Sequence, residues 1–321
     1  MRLGKLDNVT LNQLVLIKLK HVRSEVVCAP SVGVDCAAVD MGGRLAVLST
    51  DPITSANKNL GRLTVHVSCN DAAAAGAEPI GLLITLLAPP SATEAELDTV
   101  MTELAETAAR ENVEILGGHT EVTDSVTRII TCATVLAKAG ERGVLTPGGM
   151  QKGDSIVLTK HAGLEGASII ASEHARRVTG VTEAELREAR GFIDSVSVVK
   201  EGLVAAAFGA TAMHDVTEGG VLGAVWEMAF AAGRGIAIEK EKIPVHPVTQ
   251  KLCKALSIDP LRLISSGCML IAVPDGEGLV KKLREAGVDA AVIGRAGGSD
   301  ARFTDKTLIA PPEADELYKL F

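Results

Sequence analysis

The residue of this 321-residue chain whose surroundings fit it least is Asp71, in Ser68-Cys69-Asn70-Asp71-Ala72, midway along an alanine-rich apolar stretch. Burying a carboxylate there is costly unless it is paired or bound to a cation. Two readings follow: a structural ion pair, with Arg62 as candidate partner, or a metal ligand. Three further polar clusters interrupt apolar segments. They are Gly33-Val34-Asp35-Cys36, with Asp51 closing Ser49-Thr50-Asp51; Gly117-Gly118-His119-Thr120-Glu121; and His214-Asp215-Val216-Thr217-Glu218-Gly219-Gly220. Asp35 and Asp51 read singly are ordinary loop acids. With Asp71 they supply hard oxygen ligands suited to Mg²⁺.

The glycine pairs have a physical use beside the acids. Glycine lets backbone N–H groups approach phosphate oxygens, and a helix N-terminus adds free donors and a favourable dipole. Gly219-Gly220 precedes an apolar run of helical length and fits this pattern, although Gly-Gly also serves plain turns. Gly163-Leu164-Glu165-Gly166 opens another helix. His119 and His214 are the two histidines inside these motifs, and neither is assigned as a general base; His66 lies in the apolar stretch and is read as structural.

Several function classes are excluded. No G-x-x-x-x-G-K-[ST] occurs, and no G-x-G-x-x-G follows a strand. With 32 basic and 40 acidic residues the net charge is −8, and one Trp, one Tyr and five Phe offer little for stacking bases, so nucleic acid is not an expected partner. The six cysteines are scattered without a C-x-x-C, which argues for buried thiols rather than zinc or disulfides. With no apolar run of membrane length and no signal-peptide pattern at the start, a soluble cytoplasmic protein is expected.

The elements that must position these residues follow from periodicity and punctuation. Residues 26–50 read as strands about a polar turn, 60–76 as a buried helix stopped by Gly76, and 80–87 as a buried strand. After Pro89-Pro90, Ser91 and Glu94 form a capping-box pattern for a helix to about Glu111. Strands follow at 113–116 and 126–137. The turn-rich run from Gly143 to Asp154 is the best domain boundary. Beyond it, strands are expected at 155–159, 235–239 and 268–273. Helices are expected at 166–173, 182–208 (capped by Thr182 and Glu185), 219–232, and from Asp275 to Gly287. The fold class is mixed α/β without a strict βαβ rhythm.

In this order, the clusters resemble one superfamily, that of aminoimidazole ribonucleotide (AIR) synthetase, the hydrogenase-maturation protein HypE, thiamine-monophosphate kinase and selenophosphate synthetase. The resemblance spans nearly the whole chain: Gly33-Val-Asp-Cys-Ala-Ala-Val, Ser-Thr-Asp51, Asn70-Asp-Ala-Ala-Ala-Ala-Gly-Ala-Glu-Pro79, Leu116-Gly-Gly-His-Thr-Glu, Gly153-Asp, Asp215-Val-Thr-Glu-Gly-Gly, Ile243-Pro and Ser265-Ser-Gly-Cys-Met-Leu-Ile. Gly4-Lys-Leu and Gly163-Leu-Glu-Gly look closest to the HypE-like branch.

It implies an AIR-synthetase-like fold of two domains, here 1–148 and 149–321, and a homodimer built through the N-terminal domains. It also implies Mg²⁺ and ATP in a cleft. By position, Asp35, Asp51 and Asp71 would bind metal. Asn70, Gly117, Gly118 and Thr120 would line the nucleotide, and Asp215, Thr217, Gly219 and Gly220 would come from the second domain. The implied chemistry phosphorylates or dehydrates an oxygen of a small-molecule substrate. The alternative is a nucleotide-binding accessory protein with a metallocentre-maturation partner.

Three departures bear on this. His119 stands where related motifs often carry an acid, with Glu121 two residues along as a substitute on the same strand face. The sequence ends Glu316-Leu-Tyr-Lys-Leu-Phe321 with its last cysteine at 268, so a tail thiol of the HypE type is not expected. Cys28 lacks the glycine-rich context of a selenophosphate synthetase.

Overall fold

The computed structural model describes residues 6, 8–54, 58–312 and 314–320; Gly4 and Lys5 of the start motif, and Phe321, lie outside them. The N-terminal half carries α1 (Asn8–Leu14), β1 (Val26–Cys28), β2 (Ala37–Asp40), β3 (Leu45–Ile53), α2 (Leu60–Ala74), β4 (Ala77–Ala88), α3 (Glu94–Arg110), β5 (Glu114–Val122) and β6 (Ile130–Ala139). Its strands form a six-stranded sheet in the order β1-β2-β3-β6-β4-β5, antiparallel except for β4 with β5. The helix pair α2 and α3 covers one face. Val65, Cys69, Ala72 and Leu104 pack there on Val47, Leu82, Leu86 and Val135. The helices cross closely because Gly61 has no side chain: a Cβ there would lie 2.4 Å from the Val100 carbonyl.

The C-terminal half carries β7 (Ser155–Thr159), α4 (Leu164–Glu173), α5 (Glu183–Gly191), α6 (Val199–Phe208), β8 (Ala212–Val216), α7 (Gly220–Ala232), β9 (Ile236–Ile238), α8 (Pro247–Leu256), β10 (Cys268–Val273), α9 (Gly276–Glu285), β11 (Ala290–Ala296) and β12 (Ala301–Phe303). The second sheet runs β12-β9-β11-β7-β10-β8. Helix α7 covers one face, and α6 with α9 covers the other. Strands β7, β8 and β10 are therefore buried along their whole length, as a sheet clad on both sides requires. Ala73 and Ala74 of α2 join this second core, and Gly202 lets α6 approach the Ala73 carbonyl. Among the described residues no helix is long and apolar enough to cross a membrane.

Local differences from the sequence reading have physical causes. The capping box is Thr93 with Glu96, two residues beyond Ser91: Glu96 Oε2 accepts from the Thr93 N–H at 2.8 Å. Strand β5 continues through Gly117-Gly118 to Val122 instead of ending at Leu116, which bulges out of register between Ile115 and Gly117. A Cβ on Gly118 would lie 1.8 Å from the Ile84 carbonyl, so glycine is what lets this strand pair there. The helix expected over 182–208 is broken after Gly191, and Val196–Val198 runs as a connector before α6. Strands β8, β11 and β12 and helix α8 carried no clear signal; β8 was hidden by the polar pair His214 and Asp215 inside it. All six cysteines are free; Cys36, Cys69, Cys253 and Cys268 are buried, while Cys28 and Cys132 are partly exposed. Burial pushes the Cys253 and Cys268 thiols up to about 12.

Candidate active site

Four acids from both halves, three on regular elements and one on a loop, converge. Asp71 projects from α2 toward β3, where the Ser49 hydroxyl lies 2.5 Å from its Oδ2 and 2.9 Å from the Asp35 carbonyl, its one proton shared between the two acceptors. Asp51 lies two residues further along β3, on the same side of the strand. Asp35 precedes β2, and Asp215 reaches in from β8 of the other sheet. Asp71 and Asp215 are buried; Asp35 is exposed. Burial, followed by the charges of Asp215, Asp51 and Asp35, raises the Asp71 carboxyl well above the ordinary range; the Ser49 hydrogen bond works the other way. Cys36 and Met213 line a cavity of about 20 Å³ beside Asp35 and Asp71. The alternative pairing with Arg62 does not form: Arg62 Nη1 lies 2.8 Å from Asp194.

His214 sits among these acids, buried in the middle of β8. Its Nε2 is 3.0 Å from Glu227 Oε2 on α7. Its Nδ1 faces Asp215 Oδ1 at 3.8 Å and Asp35 Oδ2 at 3.9 Å, and makes no hydrogen bond. Burial alone would lower its pKa; Asp215, Glu227 and Asp35 outweigh that and hold it well above its usual value. Asp215 Oδ2 is also buried without a hydrogen-bond partner. The sequence reading missed Ser49 and Glu227. Glu227 did carry a signal, the same as Asp71: a lone charge in an apolar helix, Gly220-Val-Leu-Gly-Ala-Val-Trp-Glu-Met-Ala-Phe-Ala-Ala232.

The other expected site residues are placed differently. Asn70 points away from the acids: its Nδ2 donates to the Val196 carbonyl and its Oδ1 accepts from the Val198 N–H, both at 2.8 Å. This double bond clamps α2 to the connector before α6. Gly219 and Gly220, in left-handed conformation, open α7, but the Gly219 N–H already donates to Asp315 Oδ2 at 2.8 Å. A Cβ on Gly220 would sit 2.6 Å from the Leu261 carbonyl. Thr217 offers its carbonyl to the N–H groups of Gly220 and Ser265. The chain's last residues reinforce this motif, since Tyr318 Oη donates to Glu218 at 3.1 Å and Leu317 and Leu320 are buried.

Gly117, Gly118 and Thr120 lie on the edge strand. Asp51 pairs with Ala133, Ala133 with Ile84, and Ile84 with Gly118. Three strand spacings, roughly 14 Å, thus separate Asp51 from Gly118 within one chain. His119 and Glu121 share the outer face, 3.4 Å apart.

The comparisons agree with this architecture. Residues 33–139 match the AIR synthase related protein, N-terminal domain, and residues 151–306 match its C-terminal domain. A hydrogenase expression/formation protein of Methanocaldococcus jannaschii is 29% identical over 82% of this chain and 79% of its own length. The carbamoyl dehydratase HypE of Rhodobacter capsulatus is 28% identical over 82% of this chain and 78% of its own. A crystal structure of the hydrogenase maturation protein HypE in complex with ATP superposes with a TM-score of 0.74, at 20% identity, over 98% of this chain and 97% of that one. The two matched domains, in their order and over most of the length, show that the chain belongs to the AIR synthase related family, in its HypE-like branch.

Proposed function

We propose that this protein binds Mg·ATP at the four-acid site and uses it to activate an oxygen of a small molecule for removal, a dehydration of the kind named for its carbamoyl dehydratase relatives. The observation that carries this is the convergence of Asp35, Asp51, Asp71 and Asp215, with Asp71 buried among the others and the His214 imidazole beside them. The donor set fits a divalent cation: oxygen ligands, excess negative charge, and a buried Asp215 oxygen without a partner. Mg²⁺, when bound, would neutralise charge on the nucleotide phosphates and on the oxygen that departs as ADP.

The protein's own contribution is positioning. Ser49 orients Asp71, and the Asn70 clamp fixes α2 against the second half, so that acids of the two halves keep their spacing. In the proposed reaction an amide or carbamoyl oxygen attacks the γ-phosphorus and ADP leaves. The phosphorylated oxygen then departs as phosphate while the nitrogen gives up its remaining protons, leaving a nitrile. The test is ADP release under multiple turnover with carbamoyl-bearing thiols or amides. Acceptor-dependent ADP release supports the dehydratase reading; tight ATP binding with no release for any acceptor would favour the accessory reading.

Homodimerisation completes this proposal. Among the described residues no helix covers the outer face of the first sheet, and Ile80, Leu83 and Leu116 are exposed along β4 and β5. Apolar residues gathered on one face in this way mark an interaction surface. A second copy seated there would also bring a Gly117–Thr120 segment to a site that this chain's own segment does not reach. Leu83→Glu is expected to convert a dimer to a monomer in sedimentation equilibrium, with no loss of secondary structure. A wild-type protein that sediments as a monomer at micromolar concentration would contradict it.

A further inference from the structure

An imidazole is an unusual companion for a cation site made only of oxygen ligands, and the surroundings of His214 give it a role. Resting on the cation-site reading above, we propose that His214 Nδ1 is a nitrogen ligand, with Asp35 and Asp215, for a divalent transition metal such as Co²⁺ or Mn²⁺, in preference to Mg²⁺.

Three observations carry this. First, one donor atom from each of Asp35, His214 and Asp215 lies within 4.8 Å of the others. The Nδ1 distances of 3.8 and 3.9 Å are too long for hydrogen bonds. They are the right length for two ligands of one ion: bonds of about 2.1 Å separate ligands by ~3.0 Å at right angles and ~4.2 Å across the ion. Second, His214 Nδ1, which faces Asp35 and Asp215 Oδ1, is buried and makes no hydrogen bond, and the other oxygen of the same Asp215 carboxylate is buried without a partner as well. Buried polar atoms without partners are rare in folded proteins and call for an occupant. Third, Glu227 engages the opposite ring nitrogen at 3.0 Å. That is the arrangement that holds a metal-bound histidine in one tautomer, with its free lone pair toward the ion.

The chemistry sets the preference. Imidazole nitrogen adds little for Mg²⁺, which favours oxygen and water, but binds first-row transition ions well. A nitrogen among carboxylates therefore shifts selectivity while leaving Mg²⁺ admissible.

The experiment uses the whole protein without nucleotide. Calorimetric titration with Co²⁺ and with Mg²⁺ should show Co²⁺ bound at least about 100-fold more tightly. His214→Gln should weaken Co²⁺ by about 10- to 100-fold and change Mg²⁺ by less than about threefold. Because His214 is buried and the variant can fail to fold, the wild-type protein loaded with Mn²⁺ is also examined by pulsed electron paramagnetic resonance. A ¹⁴N coupling that becomes a ¹⁵N coupling on histidine labelling confirms the nitrogen ligand. If Mg·ATP binds but there is no nitrogen coupling, or if Co²⁺ affinity is equal in wild type and a folded His214→Gln, nitrogen ligation is overturned and the nucleotide site stands. If neither Co²⁺ nor Mg·ATP binds, the cation-site reading falls with it.

Discussion

Replacing Asp71 by Asn is expected to weaken Mg·ATP binding by at least about 100-fold while making the protein more resistant to unfolding at neutral and alkaline pH. The two effects have one origin. Asp71 is buried beside Asp35, Asp51 and Asp215, so its carboxyl takes up a proton more readily in the folded chain than in the unfolded one. The folded state then binds the extra proton as pH rises past the unfolded value. Stability falls with pH through that window and levels off above the folded value. Asn removes the buried charge and with it this loss, so the gain of Asp71→Asn should be large at pH 8 and vanish near pH 4. A bound cation opposes the same repulsion in the wild type, which is why Mg·ATP binding should suffer. Thermal melts across pH and calorimetry read the two effects separately. A variant less stable than wild type at pH 8, with unchanged nucleotide affinity, would mean that Asp71 is an ordinary structural acid.

The second large effect concerns its neighbour. Asn70→Ala removes both hydrogen bonds that tie α2 to the Val196–Val198 connector, leaving a buried carbonyl and a buried N–H unpaired. At about 1–3 kcal/mol for each stranded group, the expected loss is on the order of 3–5 kcal/mol in denaturant unfolding. Nucleotide affinity should fall too, because the halves lose their fixed spacing, but it should recover when the variant is measured under stabilising conditions. If Asn70→Ala were as stable as wild type and lost only nucleotide binding, the amide would be a ligand contact and not a clamp.

These adjacent residues show what the sequence made legible. A carboxylate in an alanine-rich helix carries its anomaly locally, because no burial of such a group is cheap without a partner; Asp71 was picked out for that reason, and Glu227 carried the same signal but was passed over. Asn70 has no local anomaly that separates a ligand contact from a clamp. Its partners are 126 and 128 residues away, and only the packing of α6 on α2 brings them together. The same distant contact explains the helix expected over 182–208: the connector's backbone is bonded to Asn70 instead of continuing a helical ladder. Glycine pairs were ambiguous in the same manner. Gly118 and Gly220 are there because neighbouring carbonyls leave no room for a Cβ, a reason invisible until the neighbours are placed. The ordered set of motifs nonetheless carried the two-part α/β architecture, because the fold depends on many weak signals that agree.

His214 lies between these cases. Its place inside a motif marked it for chemistry, but its environment is made by Asp35 from the other half of the chain and by Glu227 from α7, about two turns of helix beyond the motif. Neither neighbour is implied by the spacing of the motif itself.

The measurement that tests the account most directly is calorimetric titration of the wild-type protein with ATP, with and without Mg²⁺. Saturable binding that requires the cation is predicted, because four converging carboxylates repel the bare triphosphate. ATP binding of equal strength in the presence of a chelator, or no binding in either condition, would contradict the assignment of Asp35, Asp51, Asp71 and Asp215 to a metal–nucleotide site.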